Sequence, residues 1–419
     1  EGMLEALRMV PRVVEVTHWP PQTTTTALAQ QVVHMGSDVD LGSLPVPVCW
    51  PGESLPALTS ALLIIEEPIV ESIGETAAAD SEKARSVVQG SAHRKRRVVS
   101  RVPVQILDRN TLLIRWTPHD ESWRVVSEAI ATGHQLSIAI ALGGDPVLTL
   151  AASAPLPPYV DRLTFAGFLR QSNVALASGR SIETQVPADA EFILECLVNP
   201  ERAFADAPPV ATATGFLSGT EQAVVATVSA ITHRANPVLP VIVPGRSLGE
   251  EGVIARAVER LLLPIVRLAI PELVDLRLPE SGAHRNIAFA SLRKSFPMQA
   301  RQVMNALWGL GRLSTVKMLV VVDADVDVQN DDAVWFAVGA HCHPGTDTIF
   351  SDGPADMLDH AARVRGVGAR IGIDATRKSA AEGHLREWPA DLKMNAETAR
   401  LVSHRWQQYG ISQPGDSKK

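Results

Sequence analysis

Residues 317–323 read KMLVVVD, a run that is apolar between its terminal lysine and aspartate. A strand without a polar face is expected where helices cover both sides of a sheet. Helical patterns accompany this run at EEGVIARAVERLLLPIVRL (250–268), which opens with the acidic residues that suit a helix N-terminus, and at PMQARQVMNALWGL (297–310). A further strand is predicted at NIAFASL (286–292). The C-terminal third of the chain is therefore predicted to be α/β.

The middle of the chain, residues 60–230, consists of short runs rich in β-branched residues. Turn signals such as DRN (108–110), GGDP (143–146) and ASGRS (177–181) separate several runs, which is typical of an antiparallel sheet or barrel. One helix is predicted to interrupt this sheet, at ESWRVVSEAIATG (121–133). The predicted strands are ALLIIEE (61–67), RRVVSRVPVQIL (96–107), TLLIRW (111–116), LSIAIALGG (136–144), AEFILECLV (190–198) and VVATVSAIT (224–232).

The composition suits a globular protein with a substantial core, since 46% of the residues are hydrophobic and 20% are charged. The net charge of −7 indicates neither nucleic acid nor an anionic membrane as a partner. Three widely spaced cysteines fit no disulfide framework and no CxxC metal site, which favours a reducing compartment. We find no apolar run long enough to span a bilayer and no signal-peptide layout, so a cytoplasmic location is predicted. The first ten residues begin abruptly in a helical pattern, so we expect a leading segment to be missing.

Three local patterns suggest binding chemistry without deciding it. HRKRR (93–97) could bind phosphate, but a solvated loop is favoured. The alternate aspartates of VVVDADVDVQNDD (320–332) resemble a calcium loop but lack its glycine and its final glutamate, so turn and capping roles are favoured. The two histidines of HCHPGTD (341–347) can reach one metal only from a strand or turn, and no partner pair is visible. Fingerprints of serine hydrolases, zinc proteases and nucleotide-binding proteins are absent.

The order of segments along the chain is more informative than any single motif, because seven collinear blocks resemble the UbiD family of decarboxylases. The resemblance runs from about residue 3 to the C-terminus. The blocks are LPVPV (44–48), IAIALGGDPVLTLAASAPLP (138–157), DRLTFAGFLR (161–170), VPADAEFILE (186–195), ITHRANPVLPVIVPGR (231–246), VVVDADVDVQNDDAVWFAVGAHCHPGTDT (320–348) and IGIDATRK (371–378).

This resemblance implies an α/β (α+β) fold with a central split β-barrel of flavin-reductase type. The implied divisions are 1–60 for the remainder of an N-terminal α/β region, 61–235 for the barrel, 236–394 for a C-terminal α/β domain, and 395–419 for a tail helix and a disordered end. The tail helix is expected at NAETARLVSHRWQQYG (395–410) and to dock on a partner subunit. A homodimer or higher oligomer is therefore predicted.

The family also implies chemistry. Its members bind prenylated FMN in the barrel, with a divalent metal (usually manganese) and potassium at the phosphate. They remove or add CO2 on unsaturated or aromatic acids, the cofactor takes the electron pair, and a Glu–Arg–Glu network handles the proton. The expected partner is thus a small-molecule carboxylic acid, with neither nucleic acid nor membrane.

The family's metal-ligand positions carry other residues in this chain. The family's Asn, His and Glu ligands correspond to Arg96, Glu121 and Arg162. Two of these are cations, which repel a divalent metal but can pair with a phosphate directly. Binding of a divalent metal and of potassium is therefore not expected, and Arg96 and Arg162 are either cofactor-phosphate ligands or exposed surface residues. Arg312 lies near the place where the family supplies a basic phosphate contact.

The family's catalytic positions are also altered. Arg101 corresponds to the catalytic arginine, and the stretch DAPPVATATG (206–215) corresponds to the loop with the two catalytic acids. Asp206 then stands at the first acid and Thr212 at the second, the usual proton donor. A threonine hydroxyl is too weak an acid for that role near neutral pH. Asp206 could pair with Arg101, either in catalysis or structurally.

Three hypotheses follow. The chain is a UbiD-like decarboxylase of atypical mechanism that uses Arg101, Asp206 and Glu121. Alternatively, it is a non-catalytic UbiD-like subunit or binding protein that has lost the prenylated-FMN and metal site. The third hypothesis is a cofactor-free lyase that reuses the pocket.

Overall fold

The computed structural model describes residues 17–68, 95–156, 160–246, 249–392 and 394–410. The chain divides into two compact units, Glu1–Thr376 and Arg377–Lys419. All of the described strands belong to the first unit. The predicted N-terminal helix and the predicted disordered end lie outside the described residues.

The described strands and α-helices alternate along the chain as follows. The strands are β1 (Gln22–Thr23), β2 (Val32–Met35), β3 (Ala57–Leu58), β4 (Leu62–Pro68), β5 (Lys95–Arg101), β6 (Val104–Ile106), β7 (Thr111–Ile114), β8 (Leu136–Leu142), β9 (Ala175–Ser178), β10 (Gln185–Pro187), β11 (Phe192–Val198), β12 (Phe204–Ala207), β13 (Glu221–His233), β14 (Leu273–Arg277), β15 (Ile287–Leu292), β16 (Met318–Asp323), β17 (Thr348–Pro354) and β18 (Val367–Ala375). The helices are α1 (Glu121–Ala131), α2 (Pro146–Ser153), α3 (Arg162–Arg170), α4 (Glu250–Ala269), α5 (Gln299–Trp308), α6 (Asp331–His341) and α7 (Ala396–His404).

The middle of the chain forms a ten-stranded sheet, in the order β3-β6-β7-β13-β11-β8-β4-β5, with β12 and β2 also paired to β13. All strand pairings described in this sheet are antiparallel, which confirms the antiparallel sheet predicted from the short β-branched runs. Successive residues of β4 face opposite sides, because side chains alternate along a strand. Leu63 packs in the cluster that contains Val126 of α1, whereas Leu62 packs with Leu148 of α2 and Leu163 of α3. Both faces are therefore covered, and β1, β9 and β10 form a separate three-stranded sheet.

The C-terminal part of the first unit contains a five-stranded sheet, in the order β14-β15-β16-β18-β17. Its three central strands are parallel, and the two edge strands are antiparallel to their neighbours. Along β16, Val321 packs with Val303 of α5, and Val320 packs on the opposite face with Val334 of α6. This arrangement confirms the α/β prediction, because helices do cover both faces of the apolar strand.

The prediction of a single helix within the ten-stranded sheet is wrong, because α2 and α3 also lie in that region. An aspartate precedes each helix, and its side chain accepts a hydrogen bond from a backbone N–H two residues later: Asp145 from Val147 and Asp161 from Leu163. In GGDP the glycines form the predicted turn, at φ +73° and +89°, and the following Pro146 opens the helix. A turn signal and a helix start thus share four residues.

The prediction of a solvated loop at the basic run 93–97 is wrong for its last three residues, which begin β5. Residues 93 and 94 lie outside the described residues. The Arg97 side chain is 13% exposed and pairs with Asp161 at 3.0 Å and with Glu66 at 3.4 Å. Arg97 joins the strand because Glu66 of β4 and Asp161, the residue before α3, compensate its charge.

The second unit contains α7, at the place where the tail helix was predicted, followed by a 3-10 helix, Trp406–Tyr409. α7 has no buried residue, and Leu401 is 48% exposed. Across the described ranges of the whole chain, no helix combines the length and the apolarity needed to cross a bilayer.

Candidate active site

Arg96, Glu121 and Arg162 form one hydrogen-bonded group beside β5, the edge strand of the ten-stranded sheet. Arg96 lies on β5, Glu121 opens α1 and Arg162 opens α3. Oε1 of Glu121 accepts a hydrogen bond from Arg96, and Oε2 accepts one from Arg162 Nη1 at 3.1 Å. The three side chains are 16%, 21% and 15% exposed. The structure therefore brings together the three residues at the family's ligand positions, and it does not place the two arginines as exposed surface residues.

A second carboxylate completes the charge balance around Arg96. Arg96 Nη1 donates to Glu67 Oε1 at 2.7 Å, from the position directly opposite on β4. Arg124, which is 51% exposed, also donates to Glu67 at 2.7 Å. Low exposure strengthens the ion pairs of Arg96 with Glu67 and Glu121, because water screens them less than it screens a surface pair.

The starts of α1 and α3 place these charges. Asp120 precedes α1, and its side chain accepts from the backbone N–H of Thr117 at 2.9 Å and from the Thr117 hydroxyl at 3.0 Å. Burial raises the pKa of Asp120, although these hydrogen bonds oppose the shift. Glu121 then occupies the first turn, where the helix dipole stabilises a negative charge.

Arg162 is the most enclosed of the three site residues. Its Nε lies 3.4 Å from the backbone oxygen of Ala152, near the end of α2, where the helix dipole favours a cation. Desolvation lowers the pKa of Arg162, and repulsion from Arg96 adds to the shift. An arginine remains charged near neutral pH even so, because its ordinary pKa is far higher.

Arg101, at the other end of β5, lies beside the last residue of α2. Its guanidinium donates a hydrogen bond to Glu251, in the first turn of α4, and Nη1 lies 3.4 Å from the hydroxyl of Ser153. The Arg101 and Glu251 side chains are 16% and 26% exposed. Ala152 and Ser153 are consecutive, so the end of α2 contacts both Arg162 and Arg101 and links the two ion-pair groups.

Arg312 lies in the 3-10 helix Gly311–Thr315 and is exposed. Desolvation is the first cause that lowers its pKa, and repulsion from Arg285 and Arg101 is opposed by Asp356 and Glu251. Within the described ranges its guanidinium makes no hydrogen bond or ion pair, whereas Arg285 pairs with Asp356 at 3.2 Å. Arg312 is thus a cation near Glu251 and Arg101 that is available to an anion.

The stretch 206–215 does not bring Asp206 to Arg101. Asp206 lies on β12 opposite Gln222, with its side chain exposed, and Arg101 pairs with Glu251 instead. The Asp206–Arg101 pair that the sequence allows is therefore not among the contacts of the described residues. The pairing of β12 with β13 determines where Asp206 lies, and a collinear sequence comparison does not reveal this pairing.

Thr212 and Thr214 are buried, with 8% and 6% exposed. Their hydroxyl oxygens lie 2.7 Å apart, and the Thr214 oxygen lies 2.9 Å from Nε2 of His360. Thr212 also donates to the backbone oxygen of Phe216 at 2.8 Å. The stretch is therefore a loop held by its own hydrogen bonds and by His360. Sequence reasoning missed both His360 and Glu251, and neither residue carries a local signal that would have identified it.

The residues at the site fit an anion better than a metal. Arg96 and Arg162 present guanidinium groups, which cannot ligate a divalent cation but pair well with phosphate oxygens. Glu121 is engaged on both oxygens by these arginines. Across the described ranges, no group of three His, Cys, Asp or Glu side chains is placed to hold a metal ion. In the aspartate run 323–327, Asp327 has a turn role, since its side chain accepts a hydrogen bond from the backbone N–H of Gln329.

Comparison with known proteins gives two matching family models. Residues 83–247 match the 3-octaprenyl-4-hydroxybenzoate carboxy-lyase Rift-related domain (UbiD), and residues 252–375 match the C-terminal domain of the same carboxy-lyase. An uncharacterized protein of Aquifex aeolicus is 33% identical, over 97% of this chain and 79% of that protein.

Two solved structures are similar over most of the chain. The UbiD-class enzyme HmfF from Pelotomaculum thermopropionicum, in complex with FMN, is 25% identical with a TM-score of 0.75, covering 94% of this chain and 83% of its own. The closed form of vanillic acid decarboxylase from Sedimentibacter hydroxybenzoicus is 21% identical with a TM-score of 0.77, covering 96% and 82%. At 21% identity, the similarity to vanillic acid decarboxylase shows the fold alone.

Proposed function

The chain belongs to the UbiD family, and we propose that it is a carboxy-lyase of this family that acts on an unsaturated or aromatic carboxylic acid. The proposed cofactor is a flavin mononucleotide, prenylated as the family resemblance implies. The FMN complex of HmfF supports this choice. We further propose that the ten-stranded sheet is the split barrel that binds the flavin, with eight of its strands in the division 61–235 and with β2 and β3 before it.

The group Arg96–Glu121–Arg162 is the observation that carries this proposal. At the three positions where the resemblance implies metal ligands, the chain keeps a compact charged group instead of losing the site to unrelated residues. Guanidinium groups bind phosphate oxygens through paired hydrogen bonds, and a phosphate would compete with Glu67 and Glu121 for Arg96 and with Glu121 for Arg162. Arg96 and Arg162 would hold the flavin phosphate, Glu121 would orient both, and Arg312 would add a third positive charge.

Bound flavin supplies an electron sink for the pair released when the carbon–carbon bond to CO2 breaks. The protein must bind the acid and return a proton to the carbon that loses CO2. Arg101 suits the first task, because a guanidinium binds a carboxylate with two parallel hydrogen bonds. Glu251 holds Arg101 from α4 by a hydrogen bond and can therefore move a proton at that place. We propose Arg101 and Glu251 as the catalytic pair, with Glu121 in a positioning role.

The two remaining sequence-based candidates receive smaller roles. The side chain of Asp206 is exposed and lies away from Arg101 in the described contacts, so we propose that it does not take part in proton transfer. Thr212 donates into its own loop and reaches His360 through Thr214, so we propose that it shapes the pocket wall.

Absorption spectroscopy tests the cofactor. The protein would be co-expressed with a flavin prenyltransferase, purified without a tag and scanned in the visible range. Turnover would then be followed with vanillate, 4-hydroxybenzoate, cinnamate and 2-furoate as acids. Retained flavin and CO2 release from any of these acids support the proposal. A colourless protein, inactive on all four acids, would overturn it.

A non-catalytic UbiD-like binding protein is the second candidate function. One observation favours it: Arg96, Arg162 and Arg101 are each paired with a carboxylate of the same chain. Such a closed network balances its own charge and does not require a ligand. The same spectrum discriminates the two candidates, because a protein that has lost the cofactor site retains no flavin. We also propose that α7, which has no buried residue, packs on a second copy of the chain.

A further inference from the structure

His34 on β2 and His233 at the end of β13 lie against each other at a place separate from the proposed active site. The two strands are antiparallel, with His34 opposite Ile231 and His233 opposite Val32, so the histidines are diagonal neighbours. Their Nε2 atoms are 3.3 Å apart, their ring centroids are 5.4 Å apart, and the rings are inclined by 20°. Both residues are half-buried.

The backbone orients the His233 ring. Nδ1 of His233 lies 2.6 Å from the backbone oxygen of Arg234. A carbonyl oxygen only accepts hydrogen bonds, so Nδ1 carries the proton. In the neutral ring the lone pair is then on Nε2, the atom that faces His34. A second-sphere hydrogen bond of this kind is typical of histidines that ligate metals.

We propose that His34 and His233 form a binding site for one late first-row divalent cation, of the class Cu²⁺, Ni²⁺ or Zn²⁺. In tetrahedral coordination with metal–nitrogen bonds of about 2.0–2.1 Å, two imidazole nitrogens lie about 3.3–3.4 Å apart. The observed Nε2–Nε2 separation of 3.3 Å equals that span, which suits Zn²⁺ directly. The square-planar geometry favoured by Cu²⁺ and Ni²⁺ places two neighbouring nitrogens about 2.8 Å apart, so these cations require the two rings to approach slightly. The cation would replace the proton that the two Nε2 atoms share when the site is empty.

The surrounding residues hold this geometry before a cation binds. Phe192 packs against His233 with ring centroids 5.6 Å apart. The side chain of Gln31 accepts from the backbone N–H of Ala235 at 2.8 Å, which ties the start of β2 to the residues that follow β13. A pre-formed pair of ligands loses less conformational entropy on binding, so the site needs little rearrangement.

The protein supplies two ligands, and water fills the remaining positions. In the described ranges, no third His, Cys, Asp or Glu side chain joins the pair to make a three-residue group. Two imidazoles without carboxylates select cations that prefer nitrogen, in the order Cu²⁺ above Ni²⁺ and Zn²⁺, and disfavour Mg²⁺ and Ca²⁺. This inference does not depend on the proposed carboxy-lyase function.

Titration of the tag-free full chain with CuCl2 and with NiCl2 tests the proposal, by calorimetry and by electron paramagnetic resonance of the copper complex. One equivalent should bind, with a spectrum that shows two imidazole nitrogens. His34→Gln and His233→Gln should each weaken binding at least tenfold. His343→Gln is the matched control, because it removes a histidine of the HCHPGTD segment, and it should leave binding unchanged.

Two results would overturn the inference. In the first, the wild type binds copper no more tightly than the double variant of His34 and His233. In the second, His343→Gln loses as much affinity as the two site variants. Should a variant fold poorly, diethyl pyrocarbonate labelling of the wild type gives an independent measurement. Bound copper should protect His34 and His233 from modification, and equal labelling with and without copper contradicts the proposal.

Discussion

Arg101 donates a hydrogen bond to Glu251, which lies 150 residues away in the sequence, and makes no contact with Asp206 in the described structure. This pair joins the edge strand of the ten-stranded sheet to the first turn of α4, the helix that precedes the five-stranded sheet. The Arg101 partner thus comes from the first turn of α4, directly before the C-terminal family segment (252–375), and not from the loop in which the resemblance implies both catalytic acids.

Substitutions at Arg101, Glu251 and Asp206 should show which of the two carboxylates, Glu251 or Asp206, acts in catalysis. For any carboxylic acid that proves to be a substrate, we expect Arg101→Ala and Glu251→Gln to lower kcat by about 100-fold or more, as for the loss of a general acid or base. Asp206→Asn should change kcat less than about twofold, since an exposed residue outside the site contributes little. Steady-state kinetics checks both. A large loss of kcat in Asp206→Asn, together with an unchanged kcat in Glu251→Gln, would restore the sequence-based assignment of Asp206.

Loss of an arginine at the proposed phosphate site should reduce flavin retention. We expect Arg96→Ala and Arg162→Ala to retain at least tenfold less flavin per chain than the wild type, because each removes a charge-assisted contact worth about 1.5–3 kcal/mol. Arg124→Ala is the matched control, because Arg124 also pairs with Glu67 but is 51% exposed. The ratio of visible to protein absorbance measures retention. Equal retention in all three variants contradicts the assignment.

Asp120 should make the stability of the protein depend on pH. Burial raises its pKa from the ordinary value of 3.8, so the folded state binds more protons than the unfolded state between the two values. The free energy of unfolding should therefore fall as the pH rises from 3.8 through the raised pKa. Asp120→Asn keeps an oxygen acceptor for Thr117 and removes the titration. Its stability relative to the wild type should grow across this window in urea unfolding, and a pH-independent difference would contradict the prediction.

Phe289 should be critical to the five-stranded sheet. It lies on β15, is 0% exposed and meets Trp335 of α6 edge-on, with ring centroids 5.7 Å apart. Phe289→Ala should lower the free energy of unfolding by about 3–5 kcal/mol, from lost burial and the cavity left behind. Phe336→Ala, at a residue that is 75% exposed, is the control, and should change it by less than about 0.5 kcal/mol. Urea denaturation measures both, and similar losses would show that Phe289 is not a core residue.

Local pattern was sufficient for most elements. The apolar run 317–323 became β16 because its lack of a polar face allows only a position covered on both sides. α1 and α4 follow from helical spacing of apolar residues and acidic first turns. α2 and α3 escaped prediction because their capping residues, Asp145 and Asp161, also suit turns, and because both helices are short.

The candidate site was predictable in part. Arg96, Glu121 and Arg162 could be placed together because each lies at the start of an element whose position along the chain matches the family. The separation of Asp206 from Arg101 could not be predicted, since it depends on how β12 pairs with β13. His360 and Thr214 meet only through the fold, 146 residues apart.

The sequence by itself determined the family, the antiparallel and α/β halves of the first unit, and the charges available at the site. Only the tertiary structure decided which carboxylate pairs with which arginine. Hydrophobic periodicity and capping act between residues that are near in sequence, so they can be read from the chain. An ion pair such as Arg101–Glu251 depends on the distance between two separate elements, and packing alone sets that distance.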